Sequence, residues 1–277
     1  MSWAINDKDY SQRRACRLIG LAPKVYRYRT RRHDDGALRA RLRSLALARR
    51  RFGYWRLYLV LRREGLLVNH KKVYRLYKDE GLGLRRRKPR RRRAAMSRRP
   101  RVALHRSNER WAMDFMSDAL ANGQKLRVLT VVDAYTRECV ALEAGSHFRG
   151  PDVARVLTRV ALHRGLPAVI NCDNGTEFTS RAMDHWAWAH GVQLDFSRPG
   201  KPTDNATIES FNASVRRECL SEHYFSTLAE AQVVLGLYRA EYNNVRPHSS
   251  LGQKTPAAFR AGTEIHEDSN KVALQSA

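Results

Sequence analysis

Between Arg110 and Ser197 the hydrophobic pattern changes period in a fixed order, and that order limits the fold more than any other feature of the chain. Arg110 to Met116 and Lys125 to Asp133 are strand-like runs joined by a loop containing Asn122-Gly123, a hairpin signal because both residues tolerate the left-handed backbone of a tight turn. Glu138 to Ala144 supplies a third strand, which completes a three-stranded antiparallel unit. Pro151 to Arg164 then reads as a helix, Ala168 to Cys172 as a buried strand, Thr179 to His190 as a helix stopped at Gly191, and Val192 to Ser197 as another strand. The expected architecture is α/β, a mixed five-stranded sheet with flanking helices.

The first hundred residues have another character. They hold 32 Lys and Arg against 7 Asp and Glu, whereas residues 101–277 hold 20 of each, so the net charge of +25 lies wholly in this part. A surface of one sign points to a polyanion, nucleic acid first and acidic membrane a distant second, because arginines that neutralise phosphates release condensed counterions. Ser11 to Arg29 has the outline of two short helices around a turn. Leu38, Leu42 and Leu45, then Tyr54, Leu57, Tyr58 and Leu61, then Val73, Leu76 and Tyr77 recur at helical spacing, with breaks at Gly53 and Gly65. Asn69 is a good N-cap and Gly81 a good stop, so Asn69 to Glu80 is expected to be one helix. Lys71, Arg75 and Lys78 share its polar side and make it the candidate recognition helix; an ordinary exposed basic helix is the competing reading. Arg85 to Arg99 is dominated by Arg without apolar periodicity and reads as a mobile linker at a domain boundary.

No run of 18 apolar residues occurs, and Met1 to Asp7 lacks the basic-then-apolar build of a signal peptide, so a cytoplasmic location with no membrane partner is expected. Cys16, Cys139, Cys172 and Cys219 are widely spaced, which argues for buried thiols rather than a disulfide framework or a zinc knuckle.

Three acids stand out. Asp114 lies mid-strand among apolar neighbours, where its charge needs a compensating partner, either a divalent cation or an Arg or Lys. Asp173 ends a buried strand, a common position for functional side chains, although Asp-Asn-Gly is also an ordinary turn. Glu209 sits on a helix over Asn205 to Glu218, whose apolar stripe is Ile208, Phe211, Val215 and Cys219 and whose adjoining polar stripe is Asn205, Glu209, Asn212 and Arg216. A last helix opens with the capping box Thr227-Leu228-Ala229-Glu230 and carries Leu228, Leu235, Tyr238 and Tyr242 on one face. Carboxylates from a central strand, a strand end and a helix can converge on one cleft, and hard oxygen ligands suit Mg2+ or Mn2+.

Asp173-Asn174-Gly175-x-Glu177-Phe178, with Glu209 separated from Asp173 by 35 residues and set within Pro199-Gly200-x-Pro202-x-Asp204-Asn205-Ala206-x-x-Glu209-Ser210-Phe211, resembles the catalytic core of DDE transposases and retroviral integrases. Trp111-x-x-Asp114 resembles the first-acid motif, and Tyr242-Asn243-x-x-Arg246-Pro247-His248-x-x-Leu251-Gly252 with Thr255-Pro256 the C-terminal signature of insertion-sequence transposases encoded as a second frame. The Phe52-Gly53-Tyr54 and Val68 to Leu76 stretches resemble that family's helix-turn-helix region. The resemblance implies an RNase H-like fold, with Asp114, Asp173 and Glu209 as catalytic residues and ligands of two Mg2+ or Mn2+ ions. It also implies double-stranded DNA as partner, both element ends and target, with Arg216 near the DNA end. Lys201 is a further candidate phosphate contact, in a Pro199 to Asp204 loop expected to act as a flap over the substrate. A homo-oligomer on DNA and an upstream-frame product are the remaining implied partners, and no zinc is implied. The domains expected are a helical DNA-binding region 1–84, a basic linker 85–104, a catalytic core 105–220 and a C-terminal extension and tail 221–277. A DNA-binding regulator on an inert core, or a nuclease that hydrolyses without joining, are the alternatives. Asp118, Asp133, Asp195 and Asp204 are nearby acids without a catalytic role in this reading.

Overall fold

The computed structural model describes residues 2–28, 35–84, 103–198 and 205–263. By compactness the chain divides into two units, Met1–Arg41 and Leu42–Ala277. The first contains the short helices α1 (Ser2–Asn6), α2 (Gln12–Leu18) and α3 (Pro23–Arg27). Ser11 caps α2 by accepting the Arg14 N–H, and Gly20 takes left-handed backbone between α2 and α3, which reproduces the expected helix–turn–helix outline.

Next come α4 (Gly36–Ala48), α5 (Tyr54–Arg63) and α6 (His70–Asp79). Their apolar positions are buried as the spacing predicts, with Leu42 and Leu45 on α4, Leu57, Val60 and Leu61 on α5, and Val73, Leu76 and Tyr77 on α6. Asn69 caps α6 by accepting the Lys71 N–H at 2.8 Å, and Tyr54 of α5 packs edge-on against Tyr74 of α6.

The sheet comprises β1 (Arg110–Ala119), β2 (Lys125–Asp133), β3 (Cys139–Gly145), β4 (Val169–Cys172) and β5 (Gln193–Phe196) in the order β3-β2-β1-β4-β5. β1 to β3 pair antiparallel, while β4 is parallel to both β1 and β5. That is the RNase H-like arrangement. At the first hairpin Gly123 is left-handed and the Asn122 side chain accepts the Gln124 N–H, and β1 runs to Ala119 because its register with β2 continues that far. The helices α7 (Gly150–Arg164), α8 (Arg181–His190), α9 (Ala206–Glu218) and α10 (Leu228–Asn244) cover the sheet.

Strand alternation divides the core in two. Trp111 and Met113 of β1 pack with Val153 and Leu157 of α7 and Met183 and Trp186 of α8. Ala112 and Met116, one residue out of phase, pack with Ile208, Phe211, Val215 and Cys219 of α9 and Leu235 and Tyr242 of α10. Asp114 therefore falls on the α9 face. All four cysteines are buried and free. No helix among the described residues is long and apolar enough to cross a membrane.

Two of the extra acids are structural. Asp133 is fully buried and accepts the backbone N–H groups of Asn108, Tyr135 and Thr136, and Asp195 joins three strands through Arg110 and Asn171. α10 is fastened to β3 by Asn243, which accepts the Cys139 N–H and donates to the Cys139 carbonyl, both at 2.9 Å. Replacing Asn243 with Ala takes the acceptor from that buried N–H and one donor from the carbonyl, which keeps the Arg239 guanidinium. The expected loss is about 1–3 kcal/mol, read as a lower urea midpoint at unchanged m-value.

Candidate functional site

Asp114 is partly buried in the middle of β1, opposite Thr130 of β2. Its Oδ1 accepts the Phe115 N–H at 2.7 Å and its Oδ2 accepts the Asn212 side-chain amide of α9 at 2.8 Å. Burial pushes its pKa up, and the Asp173 and Glu209 carboxylates push it further, against the lowering by the two hydrogen bonds, to about 6. The three acids chosen from the sequence thus lie in one electrostatic field.

Asp173 follows β4 at its C-terminal end and is exposed, with Oδ1 accepting the Gly175 N–H at 3.1 Å. A Cβ on Gly175 would stand 3.0 Å from that same oxygen, so glycine lets the carboxylate lie close over the turn. The loop is fastened at both ends. Asn174 donates to the Ser197 carbonyl beyond β5, and Glu177 is ion-paired to Arg127 of β2, whose guanidinium lies 4.2 Å from the centre of the Phe115 ring. Phe178 stacks on the same ring at 5.0 Å. Sequence reasoning missed this Arg127 contact, because nothing in the local pattern connects residues 50 positions apart.

Glu209 lies in the first turn of α9 and is exposed. The rest of its polar stripe reaches β1. Asn205 donates to the Met113 carbonyl at 3.2 Å, Asn212 to Asp114, and Arg216 pairs with Asp118 at 2.5 Å and also donates to the Ser117 carbonyl. Arg216, expected near DNA, is therefore turned onto the protein in this structure, with its side chain 40% exposed. Asp118 faces α9 because it is four residues from Asp114 on an alternating strand.

The donor set fits a hard divalent cation: three carboxylate oxygens bring excess negative charge. Among the described residues, the Oδ1 atoms of Asn205 and Asn212 are buried without a hydrogen-bond partner, and they can accept from water held by such a cation. No three acidic, His or Cys side chains among the described residues stand at metal-ligand spacing. Asp173 and Glu209 are exposed, whereas Asp114 is partly buried.

On α6, Lys71 and Lys78 are exposed and Arg75 is partly buried, so the basic side expected of a recognition helix is present. Not all of the basic excess faces outward, however. Arg49 pairs with Glu241, Arg51 with Glu222 and Arg56 with Glu218, while Arg63 donates to the carbonyls of Val245 and Gln253. Lys201, Asp204, the Pro199 to Asp204 loop and the Arg85 to Arg99 linker lie outside the described residues.

Comparison with known proteins agrees with this layout. Family descriptions match in three places: an HTH-like domain over residues 32–92 and an integrase core domain over residues 105–202 and again over 190–256. A protein of insertion element IS407 from Burkholderia multivorans is 49% identical over 261 residues, covering 93% of this chain and 94% of the relative. A protein of insertion element IS476 from Xanthomonas euvesicatoria is 45% identical, covering 95% of this chain and 76% of the relative. The putative transposase InsK of IS150 from Escherichia coli is 28% identical over 78% of this chain and 79% of its own length. Among solved structures, the HTLV-2 integrase catalytic core domain in complex with magnesium is 14% identical over 56% of this chain and 97% of that chain, with a TM-score of 0.46. On relatives that match it over more than nine-tenths of its length at 45–49% identity and on the integrase-core matches that coincide with its sheet, this chain belongs to the insertion-element DDE transposases.

Proposed function

We propose that this chain cuts DNA at the ends of a mobile element and joins the freed ends to target DNA, with Asp114, Asp173 and Glu209 as the catalytic carboxylates holding two Mg2+ or Mn2+ ions. What supports the site assignment is a carboxylate held mid-strand on the α9 face by Phe115 and Asn212, with its pKa raised by burial first and then by the Asp173 and Glu209 carboxylates, and with no Arg or Lys bonded to it among the described residues. The bound cations would activate the attacking oxygen and stabilise the leaving oxygen of the phosphodiester. Asn212 fixes the orientation of the Asp114 carboxylate, and the Gly175 N–H that of Asp173. Water attacks first and releases a 3′ hydroxyl; that hydroxyl then attacks a second phosphodiester and displaces its 3′ oxygen, so no covalent enzyme intermediate forms.

The helical region up to residue 84 binds the element end in this reading, with Lys71, Arg75 and Lys78 on phosphates. Arg216 joins them when it exchanges Asp118 for a phosphate, and Lys201 is a further contact. Pairing of two ends calls for a homo-oligomer on DNA, and an upstream-frame product is a further partner.

Asp114→Asn, Asp173→Asn and Glu209→Gln are each expected to abolish cleavage and joining of an oligonucleotide carrying the element end, with duplex binding retained. Joining at the wild-type rate in any of them would remove that residue from the site. A second expectation concerns stability without metal. The folded protein binds the Asp114 proton more tightly than the unfolded chain does, so this group's contribution is greatest at low pH and is lost as pH rises from about 4 through about 6. Asp114→Asn is therefore expected to be more stable than wild type at pH 7 by roughly 1–2 kcal/mol, after allowance for partial exposure, and by little at pH 4. Added Mn2+ should raise the melting temperature of wild type and not that of Asp114→Asn. A third expectation is that neutralising Lys71 or Lys78 weakens duplex binding irrespective of sequence and lowers the salt slope by about one ion each; an unchanged slope would put them on a solvated face.

A further inference from the structure

The C-terminal signature Tyr242-Asn243-x-x-Arg246-Pro247-His248 has no place in the chemistry above, yet its side chains are buried. Arg246 grips Glu218, the last residue of α9, with two parallel hydrogen bonds, Nε to Oε2 and Nη2 to Oε1, both 2.8 Å. Both side chains are about nine-tenths buried, at 8% and 10% exposure. Tyr242 meets Phe211 of α9 edge-on at 4.9 Å and His248 at 4.8 Å on another side. Burial, then Arg246 and Arg56, hold the His248 pKa down at about 3, so the ring is neutral and adds no third positive charge.

A second guanidinium meets the same carboxylate. Arg56 of α5 approaches Glu218 Oε1 at 3.5 Å. α5 packs directly on α6, the candidate recognition helix, and Arg49, Arg51 and Arg63 attach the same helical segment to α10, to Glu222 and to the chain beyond α10. Glu218 stands nine residues after Glu209, which on an α-helix is about 13 Å along the axis and about 180° around it. The two acids thus occupy opposite sides of one rigid helix.

We propose that Glu218 is a positioning residue for Glu209: Arg246 clamps the far end of α9, Arg56 joins that clamp to α5 and to the candidate recognition helix α6 packed on it, and the seating of that helix pair thereby sets the catalytic acid against Asp114 and Asp173. The inference rests on the assignment of Glu209 to the metal site. A buried carboxylate held in a fork has one geometry, whereas a lysine or an amide offers a looser one. An error in the angle of α9 at Glu218 is carried along the helix to Glu209.

The test uses the full chain and Mn2+ as probe. Mn2+ affinity is measured by EPR titration without DNA, and kcat and KM are measured for cleavage of an element-end duplex, for Glu218→Gln, Arg246→Lys and Arg56→Gln. Glu218→Gln and Arg246→Lys are each expected to weaken Mn2+ binding and lower kcat by roughly 10-fold with KM for the duplex unchanged. Arg56→Gln, which leaves the Arg246 clamp in place and so keeps a folded reference, is expected to lower kcat in the same direction by a smaller factor. Unchanged Mn2+ affinity and kcat in folded Glu218→Gln, or a loss confined to melting temperature, would overturn the proposal and leave Glu218 a purely structural ion pair. Wild-type Mn2+ binding that ignores Asp114→Asn would instead refute the metal-site assignment, so the two failures are distinguishable.

Discussion

Carboxylates proposed to share a cation repel one another in its absence, so their spacing has to be set by contacts with other groups. The seating of α9 on β1 supplies those contacts. A like-charged pair near a protein surface costs on the order of 1–3 kcal/mol. Burial of Ile208, Phe211 and Val215 stabilises by roughly 1.5–3 kcal/mol for each side chain, which exceeds that repulsion. Apolar packing alone, however, permits a helix to slide or rotate on its sheet. The hydrogen bonds from Asn205, Asn212 and Arg216 to Met113, Asp114, Ser117 and Asp118 fix the register, and one strand and one helix thereby determine where two of the three acids stand.

The basic excess of the first hundred residues serves two purposes that net charge cannot separate. Arg49, Arg51, Arg56 and Arg63 bind glutamates and backbone carbonyls of the same compact unit as the sheet. A guanidinium satisfies helix-terminal carbonyls and carboxylates with several donors in one plane, which suits it to such attachment. Lys71 and Lys78, compact charges on an exposed helix face, are suited to phosphates. The residue type at each basic position is thus informative where the charge sum is not.

Legibility in the sequence followed the range of the interaction. The five strands, the Asn122-Gly123 turn, the Asn69 cap, the Gly191 stop and the burial of Ile208, Phe211 and Val215 all follow from periodicity or local backbone chemistry, and each is present. The three acids stand out at a mid-strand position, a strand end and a helix face, and their joint assignment comes from the resemblance to DDE transposases rather than from the pattern alone. Partners distant along the chain were not legible. The spacing of the polar stripe put Arg216 beside Glu209 but said nothing of Asp118 on the strand opposite, and Arg127 with Glu177, or Arg246 with Glu218, carry no local signal of their pairing. α1 also went unexpected, since its five residues carry neither a clear cap nor a periodic stripe.

The acids differ in how tightly they are held, and the difference has a physical logic. Asp114 is fixed by two hydrogen bonds and by burial, and Asp173 by its own turn, whereas Glu209 is exposed on a helix whose backbone is braced at Asn205, Asn212, Arg216 and Glu218. Moving the helix would break its apolar seat and its polar contacts together. Rotating one exposed glutamate side chain costs at most about 1–2 kcal/mol of conformational entropy. In the proposed metal site, closure around a cation would therefore fall to Glu209's side-chain torsions, with the backbone as fixed reference, and the longer glutamate at the helix position would supply reach that an aspartate there would lack.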